Sequence, residues 1–190
     1  MNLKTLALGA YQTNCYILSG GHDALVIDPG YEADTILDAL AGKTLKAILL
    51  THGHFDHVGA VKDLAADTDC RVFLCAEDTH LPPMFTAGKL YFTDTYTEGS
   101  ILNIAGLYIH VLHTPGHTPG SVCLLTDDAL FSGDTLFAGS CGRTDIGGNF
   151  AAIQKSLKRL ASMEADFRVF PGHGESTTLA AEKRYNPYMR

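Results

Sequence analysis

The chain has 190 residues, 46% of them hydrophobic and 18% charged, with a formal net charge of −7. That length suits one buried core and leaves no room for two, and the residue mix excludes a disordered or fibrous protein. The acidic balance argues against a broad phosphate-binding surface, so nucleic acid is a poor partner.

The N-terminus, Met1-Asn2-Leu3-Lys4, lacks the apolar stretch of a signal peptide or membrane span, so a cytoplasmic protein with no membrane partner is expected. Short strands are predicted at Leu3 to Leu8, Cys15 to Leu18 and Ala24 to Ile27, separated by turns at Gly9 and Gly20-Gly21. Asp28-Pro29-Gly30 stops the third. Ala33 to Ala41 has helical spacing, with Ile36, Leu37 and Leu40 on one face. A strand at Ala47 to Leu50, a helix from about Val58 to Ala66 and a strand at Val72 to Leu74 follow. Residues Thr79 to Gly99, with Pro82-Pro83 and Gly88, read as an irregular excursion of the kind that forms a lid or binding loop. Strands then recur at about Ser100–Ile104, Leu107–Leu112, Val122–Leu125 and Ala129–Phe131. A helix at about Phe150 to Leu160, a strand at Arg168 to Phe170 and a helix at about Thr178 to Lys183 complete the chain. Strands in both halves with helices near the end of each predict two packed sheets covered by helices. The five cysteines, Cys15, Cys70, Cys75, Cys123 and Cys141, are odd in number and form no Cys-x-x-Cys pair, so free thiols are expected in place of a disulfide frame.

Chemistry concentrates in Thr51-His52-Gly53-His54-Phe55-Asp56-His57, directly after the apolar strand Ala47-Ile48-Leu49-Leu50. Three imidazoles and a carboxylate within seven residues are hard to explain as a solvated loop, and this donor mix suits zinc, manganese or iron better than calcium or magnesium. Three later sites repeat the pattern of an apolar strand ending in a glycine-flanked donor: His117 in Thr114-Pro115-Gly116-His117-Thr118-Pro119-Gly120, Asp134 in Ser132-Gly133-Asp134-Thr135, and His173 in Pro171-Gly172-His173-Gly174. Each alone is weak, since His and Asp are common in turns. Together they place five of the nine histidines in ligand-like contexts. His22, His80, His110 and His113 have no such context and read as ordinary surface or strand residues.

These motifs, in this order, resemble the metallo-β-lactamase superfamily, and the resemblance runs along nearly the whole chain. Asn14-Cys15-Tyr16 and Val26-Ile27-Asp28-Pro29-Gly30 fit the same pattern. Within the superfamily, Ser132-Gly133-Asp134-Thr135-Leu136-Phe137, Cys141-Gly142-Arg143-Thr144-Asp145, Pro171-Gly172-His173-Gly174 and Glu182-Lys183-Arg184-Tyr185-Asn186-Pro187 are similar to the small glyoxalase-II-like hydrolases. The resemblance implies an α/β fold, an αββα sandwich formed by a single domain spanning residues 1–190, with two divalent metal ions at one sheet edge. Zinc is the first expectation, with iron or manganese as alternatives. His52, His54 and His117 would hold one ion, Asp56, His57 and His173 the other, and Asp134 would bridge them.

The implied reaction is hydrolysis of a small-molecule thioester of the hydroxyacylglutathione kind by a hydroxide bridging two metals. Asp56 is the expected proton acceptor beside the water, besides being a ligand. Arg143 is the expected substrate contact, because a guanidinium near the metals can pair with a substrate carboxylate; a salt bridge to Asp145 or Glu175 is its structural alternative. Cys141 is expected to be a packed thiol, since a metal-activated hydroxide makes a protein nucleophile unnecessary. The chain ends soon after His173, so the helical glutathione-binding region of glyoxalase II is not expected, and Asp145 and Glu175 stand where its tyrosines would. A lactone or ester is therefore an alternative substrate, with Phe85, Tyr91 and Phe92 of the 79–99 loop as its apolar wall. The main rival is a persulfide dioxygenase, which would use one iron on His52, His117 and Asp134. A zinc β-lactamase is disfavoured by the missing export signal. Nothing in the sequence fixes an oligomeric state.

Overall fold

Alternation along the strands decides the architecture, because successive side chains point to opposite faces of a sheet. In the computed structural model, which describes residues 1–86 and 88–190, β1 (Asn2–Leu8), β2 (Thr13–Gly20), β3 (Asp23–Ile27), β4 (Thr44–Leu49), β5 (Arg71–Cys75) and β6 (Asp94–Tyr96) form one sheet in that order. The remaining strands are β7 (Ile101–Ile104), β8 (Leu107–His113), β9 (Val122–Thr126), β10 (Ala129–Gly133), β11 (Leu136–Phe137), β12 (Ser140–Cys141), β13 (Arg168–Pro171) and β14 (Thr177–Thr178). The second six-stranded sheet runs β14-β13-β10-β9-β8-β7, and β11 pairs only with β12. Each half of the chain thus builds one sheet.

Three apolar clusters separate four layers. Tyr16, Leu18, Leu25, Ile27, Leu49 and Phe73 meet Ile109, Val111, Leu124 and Phe131 between the sheets. The alternate residues Cys15, Ile17, Val26, Ile48 and Val72 pack outward on helices α1 (Ala33–Leu40) and α3 (Val61–Thr68). On the far side, Cys123, Leu130 and Val169 pack on α4 (Phe150–Ala161) and α5 (Leu179–Tyr185). The order helix, sheet, sheet, helix is the expected αββα sandwich. Strands β3 to β5, parallel to one another, are apolar on both faces, as sheets covered on both sides must be.

Four differences from the sequence reading have local causes. The predicted helix from Val58 is two pieces, α2 (Phe55–Val58) and α3, because Gly59 packs against the Gly30 carbonyl and the Ala60 amide donates to Pro29. The 79–99 excursion is irregular up to β6, a three-residue edge strand too short to show a period; Ala87 lies outside the described residues. The two-residue strands β11, β12 and β14 were invisible for the same reason. Thr178 is not in the last helix but caps it, its hydroxyl accepting from the Ala181 amide.

Phe131 is fully buried between the sheets, edge-on to Tyr16 and stacked on Phe170. Phe131→Ala is expected to lower unfolding free energy by about 3–5 kcal/mol, measured by urea titration; a loss below about 1 kcal/mol would contradict this packing.

Candidate metal centre

Every donor singled out in the sequence sits just past the C-terminal end of a strand, at one end of the sandwich. His52, His54, Asp56 and His57 follow β4, His117 follows β8, Asp134 follows β10 and His173 follows β13. Ligand positions at such strand ends are held by the ladders beneath them. The structure brings all seven together. Nitrogen atoms of His52, His54 and His117 lie within 4.8 Å of one another, and donor atoms of Asp56, His57 and His173 form a second such group. Asp134 stands between the two: Oδ1 is 3.4 Å from His57 Nε2, while Oδ2 is 3.4 Å from His117 Nε2 and 3.6 Å from His173 Nε2. Asp56 Oδ2 is 3.2 Å from His173 Nε2.

Four imidazoles have their outward nitrogen engaged, which orients the other toward the centre. His57 Nδ1 donates to Asp28 at 2.9 Å, His117 Nδ1 to the Arg143 carbonyl at 2.7 Å, and His173 Nδ1 to the Tyr11 carbonyl at 3.1 Å. His52 Nδ1 lies 3.1 Å from the Thr51 hydroxyl, which itself donates to Asp28 at 2.6 Å. Each is the outer hydrogen bond a ligating histidine makes. Sequence reasoning noted the Asp28-Pro29-Gly30 segment but missed Asp28 as a supporting residue; its position at the end of β3, level with the histidine cluster after the neighbouring β4, was the available signal.

Two further supports tie the two sheets together at the site. Asn14 donates through Nδ2 to the carbonyls of Pro171 and Gly174, and the Tyr16 hydroxyl donates to Pro171, so β2 clamps the turn that carries His173. Asp78, fully buried, accepts from the amides of Gly53 and Gly120 and from the Thr118 hydroxyl, joining the loop of His52 and His54 to the loop of His117. The glycines allow close approach: a Cβ on Gly172 would lie 2.1 Å from Asp134 Oδ1, and one on Gly142 1.8 Å from the Asp134 carbonyl.

Among the described residues, His52 Nε2, His54 Nε2, His57 Nε2 and Asp134 Oδ1 are buried without a hydrogen-bond partner. His54 turns its Nδ1, not this Nε2, toward His117, whereas the His52, His57 and Asp134 atoms face the centre; each unpaired buried polar atom costs about 1–3 kcal/mol, a cost that a cation bound among them would remove. His54 Nδ1 and His117 Nε2 face each other at 2.8 Å, closer than the roughly 3.3 Å of two nitrogens on a tetrahedral zinc. The residues fit divalent metal ions.

A cavity of about 500 Å³ opens above these donors, walled by Tyr11, Phe55, Phe137 and Ile146, with Cys141 and Arg143 at its side. Burial pushes the Cys141 thiol up, away from the thiolate a nucleophile would need. Arg143 stands at the cavity, but both arms of its guanidinium are engaged by the Asp145 carboxylate at 2.6 Å, so the expected substrate contact is already paired. The expected apolar wall from the 79–99 loop is corrected: only Phe85 nears the centre, its ring 6.1 Å from that of His54. Tyr91 lies in a separate crevice with Lys89 and Leu90, and Phe92 is exposed, because the loop folds back along α3.

Charge balance within the cluster predicts a pH effect. Burial opposes protonation of His57 and His173, yet the neighbouring carboxylates prevail, Asp134 and Asp28 for His57 and Asp56 and Asp134 for His173, so both are raised above the ordinary imidazole range. Burial lowers His52, and with His117 it lowers His54 to about 4. In metal-free protein the two raised imidazoles stabilise the fold fully below about pH 6.5, and that contribution is lost as pH rises through their folded values. Bound metal requires the same imidazoles neutral. The gap in melting temperature between metal-loaded and chelator-stripped protein is therefore expected to widen from about pH 6.5 to about pH 8; a constant or narrowing gap would overturn this reading.

Comparison with known proteins gives the family. The model of the metallo-beta-lactamase superfamily matches residues 8–173. Hydroxyacylglutathione hydrolase GloC of Haemophilus influenzae is 33% identical, the match covering 100% of this chain and 98% of that one. Among solved structures, BLEG-1, a B3 metallo-beta-lactamase, superposes with a TM-score of 0.92 at 33% identity, covering 99% of each chain. TTHA1623 in a di-iron-bound form gives 0.86 at 38% identity, covering 97% of this chain and 99% of its own. ETHE1 from Myxococcus xanthus gives 0.88 at 30% identity, covering 98% and 84%. The chain belongs to the metallo-beta-lactamase superfamily, whose members are generally hydrolytic enzymes that bind divalent metals.

Proposed function

We propose that this protein hydrolyses a small thioester or ester at a centre of two divalent ions, zinc first and iron or manganese as alternatives. His52, His54 and His117 would hold one, and Asp56, His57 and His173 the other, with Asp134 between the two sets as a shared ligand. The observation that carries the reading is the convergence of both donor sets, with their unpartnered nitrogens, on the floor of one open cavity. The relationship to GloC supports a hydroxyacylglutathione-like thioester, and the di-iron form of TTHA1623 supports a binuclear site.

Ions bound there supply the Lewis acidity that makes hydroxide available near neutral pH. The protein's own residues do the rest. Tyr11, Phe55, Phe137 and Ile146 give the acyl group an apolar wall and exclude water from one side of the carbonyl. Asp56 keeps its carboxylate ionised: burial opposes this, but the hydrogen bond from His173 and the charge of His57 prevail. Its Oδ2 also lies 3.3 Å from the Thr13 hydroxyl, so it can accept a proton at the cavity floor and keep a fixed orientation.

One other reading has a specific observation in its favour: the match to ETHE1 supports a mononuclear iron dioxygenase acting on a persulfide, with His52, His117 and Asp134 as its ligands. The complete second donor set weighs against it. Metal content of protein purified without added metal, with rates on thioesters, lactones, a β-lactam and glutathione persulfide, separates these. Hydrolysis with two metals per chain is expected, and Asp56→Ala should cut kcat by about 10²–10⁴-fold. One iron with oxygen uptake, or an undiminished rate in Asp56→Ala, would overturn the proposal.

The Arg143–Asp145 pair makes a separate prediction about substrate charge. Both side chains are about two-thirds exposed, 64% and 66%, so the pair is weak and a substrate carboxylate can compete for the guanidinium. Asp145→Asn is expected to raise kcat/KM for a glutathione thioester by about 3–10-fold and to leave a neutral thioester unchanged. Equal changes for both substrates would remove Arg143 from substrate binding.

A further inference from the structure

A second donor cluster lies behind the catalytic loops. Cys75 ends β5, Glu77 stands in the single 3-10 turn Ala76–Asp78 that follows, and His113 ends β8 of the other sheet. One donor atom from each lies within 4.8 Å of the other two. Cys75 Sγ is 3.0 Å from Glu77 Oε2. The sulfur is fully buried, whereas Glu77 is exposed and His113 half-buried, so the cluster is open to solvent on one side. None of the three belongs to the donor sets at the cavity floor.

We infer that Cys75, Glu77 and His113 form a third cation site for a soft or borderline divalent ion such as zinc, cobalt or cadmium. Thiolate, imidazole and carboxylate is a donor set for these ions and not for calcium or magnesium. A tetrahedral ion with one sulfur and two nitrogen or oxygen donors needs contacts of about 3.3–3.8 Å between its ligands. The donor separations here run from 3.0 Å to at most 4.8 Å, so binding requires the exposed Glu77 side chain and the His113 ring to adjust, with water completing the coordination.

Position gives the site a purpose. Asp78, next to Glu77, holds the Gly53 and Gly120 amides, and His113 Nε2 donates to the Pro119 carbonyl at 2.8 Å. An ion here joins the two sheets directly beneath the loops that carry His52, His54 and His117. Burial and the Glu77 carboxylate hold the Cys75 thiol in its protonated form, and a cation replaces that proton while satisfying both groups.

Cobalt(II) titration of chelator-stripped full-length protein tests this. The wild type is expected to take up one equivalent beyond those of the histidine-aspartate centre, with a near-ultraviolet thiolate-to-cobalt band. Cys75→Ser should lose that equivalent and the band. Cys141→Ser, which removes the thiol lining the cavity above the main centre, should keep both. Glu77→Gln, at an exposed position, should weaken the extra equivalent at least about tenfold without changing the melting temperature of stripped protein, and His113→Ala should weaken it as much. Absence of the band in wild type, its survival in Cys75→Ser, or undiminished affinity in both Glu77→Gln and His113→Ala would overturn the inference. The readout is independent of turnover, so it stands or falls apart from the hydrolase reading.

Discussion

Crowding of imidazoles and carboxylates at one end of the sandwich is the constraint on which this structure turns. His52, His57 and Asp134 each turn a buried, unpartnered atom toward the same centre. At about 1–3 kcal/mol apiece, three such atoms are a serious fraction of the stability of a small domain. Without metal, the carboxylates offset part of this by raising His57 and His173. A cation bound there would satisfy the remaining atoms and so enter the fold's energetics as well as its chemistry.

The sandwich makes this crowding mechanically feasible. Donors come from strand ends of both sheets, and the apolar layer between the sheets fixes how far apart those ends lie. Polar ties then refine the spacing: Asn14 and Tyr16 clamp the His173 turn, Asp28 orients His57 and Thr51, and Asp78 joins two ligand loops. Each tie runs from a buried acceptor or donor to backbone, a hydroxyl or an imidazole, so each is costly to break and narrow in geometry. Positional precision of the donors comes from strand ends and their hydrogen bonds, not from the long 79–99 loop.

On the proposed function, substrate choice would lie at the rim. The cavity there is walled by Tyr11, Phe55 and Phe137. Charge discrimination would fall to Arg143, whose fork Asp145 occupies at the surface. Because the Arg143 carbonyl also orients His117, the same residue links the rim to the metal floor through its backbone while its side chain meets solvent.

Much of this was legible in the sequence because it depends on local spacing. Short apolar runs bounded by turn residues marked nearly every long strand, three- and four-residue spacing marked α1, and the seven-residue run from Thr51 to His57 announced metal chemistry by density alone. Elements of two or three residues, β6, β11, β12 and β14, escaped, since a period cannot be read from so few positions. Asp28 and Asp78 escaped as supports for a different reason: an aspartate in a turn looks the same whether it faces water or holds a ligand loop. Local sequence determined which residues could bind metal and that strands would deliver them. Tertiary structure alone decided that donors up to 121 positions apart face one another, that Asp145 takes the fork of Arg143, and that Cys75 meets His113. Those outcomes depend on how two sheets stack and which strand ends become neighbours, and that is set by the summed packing of the whole core.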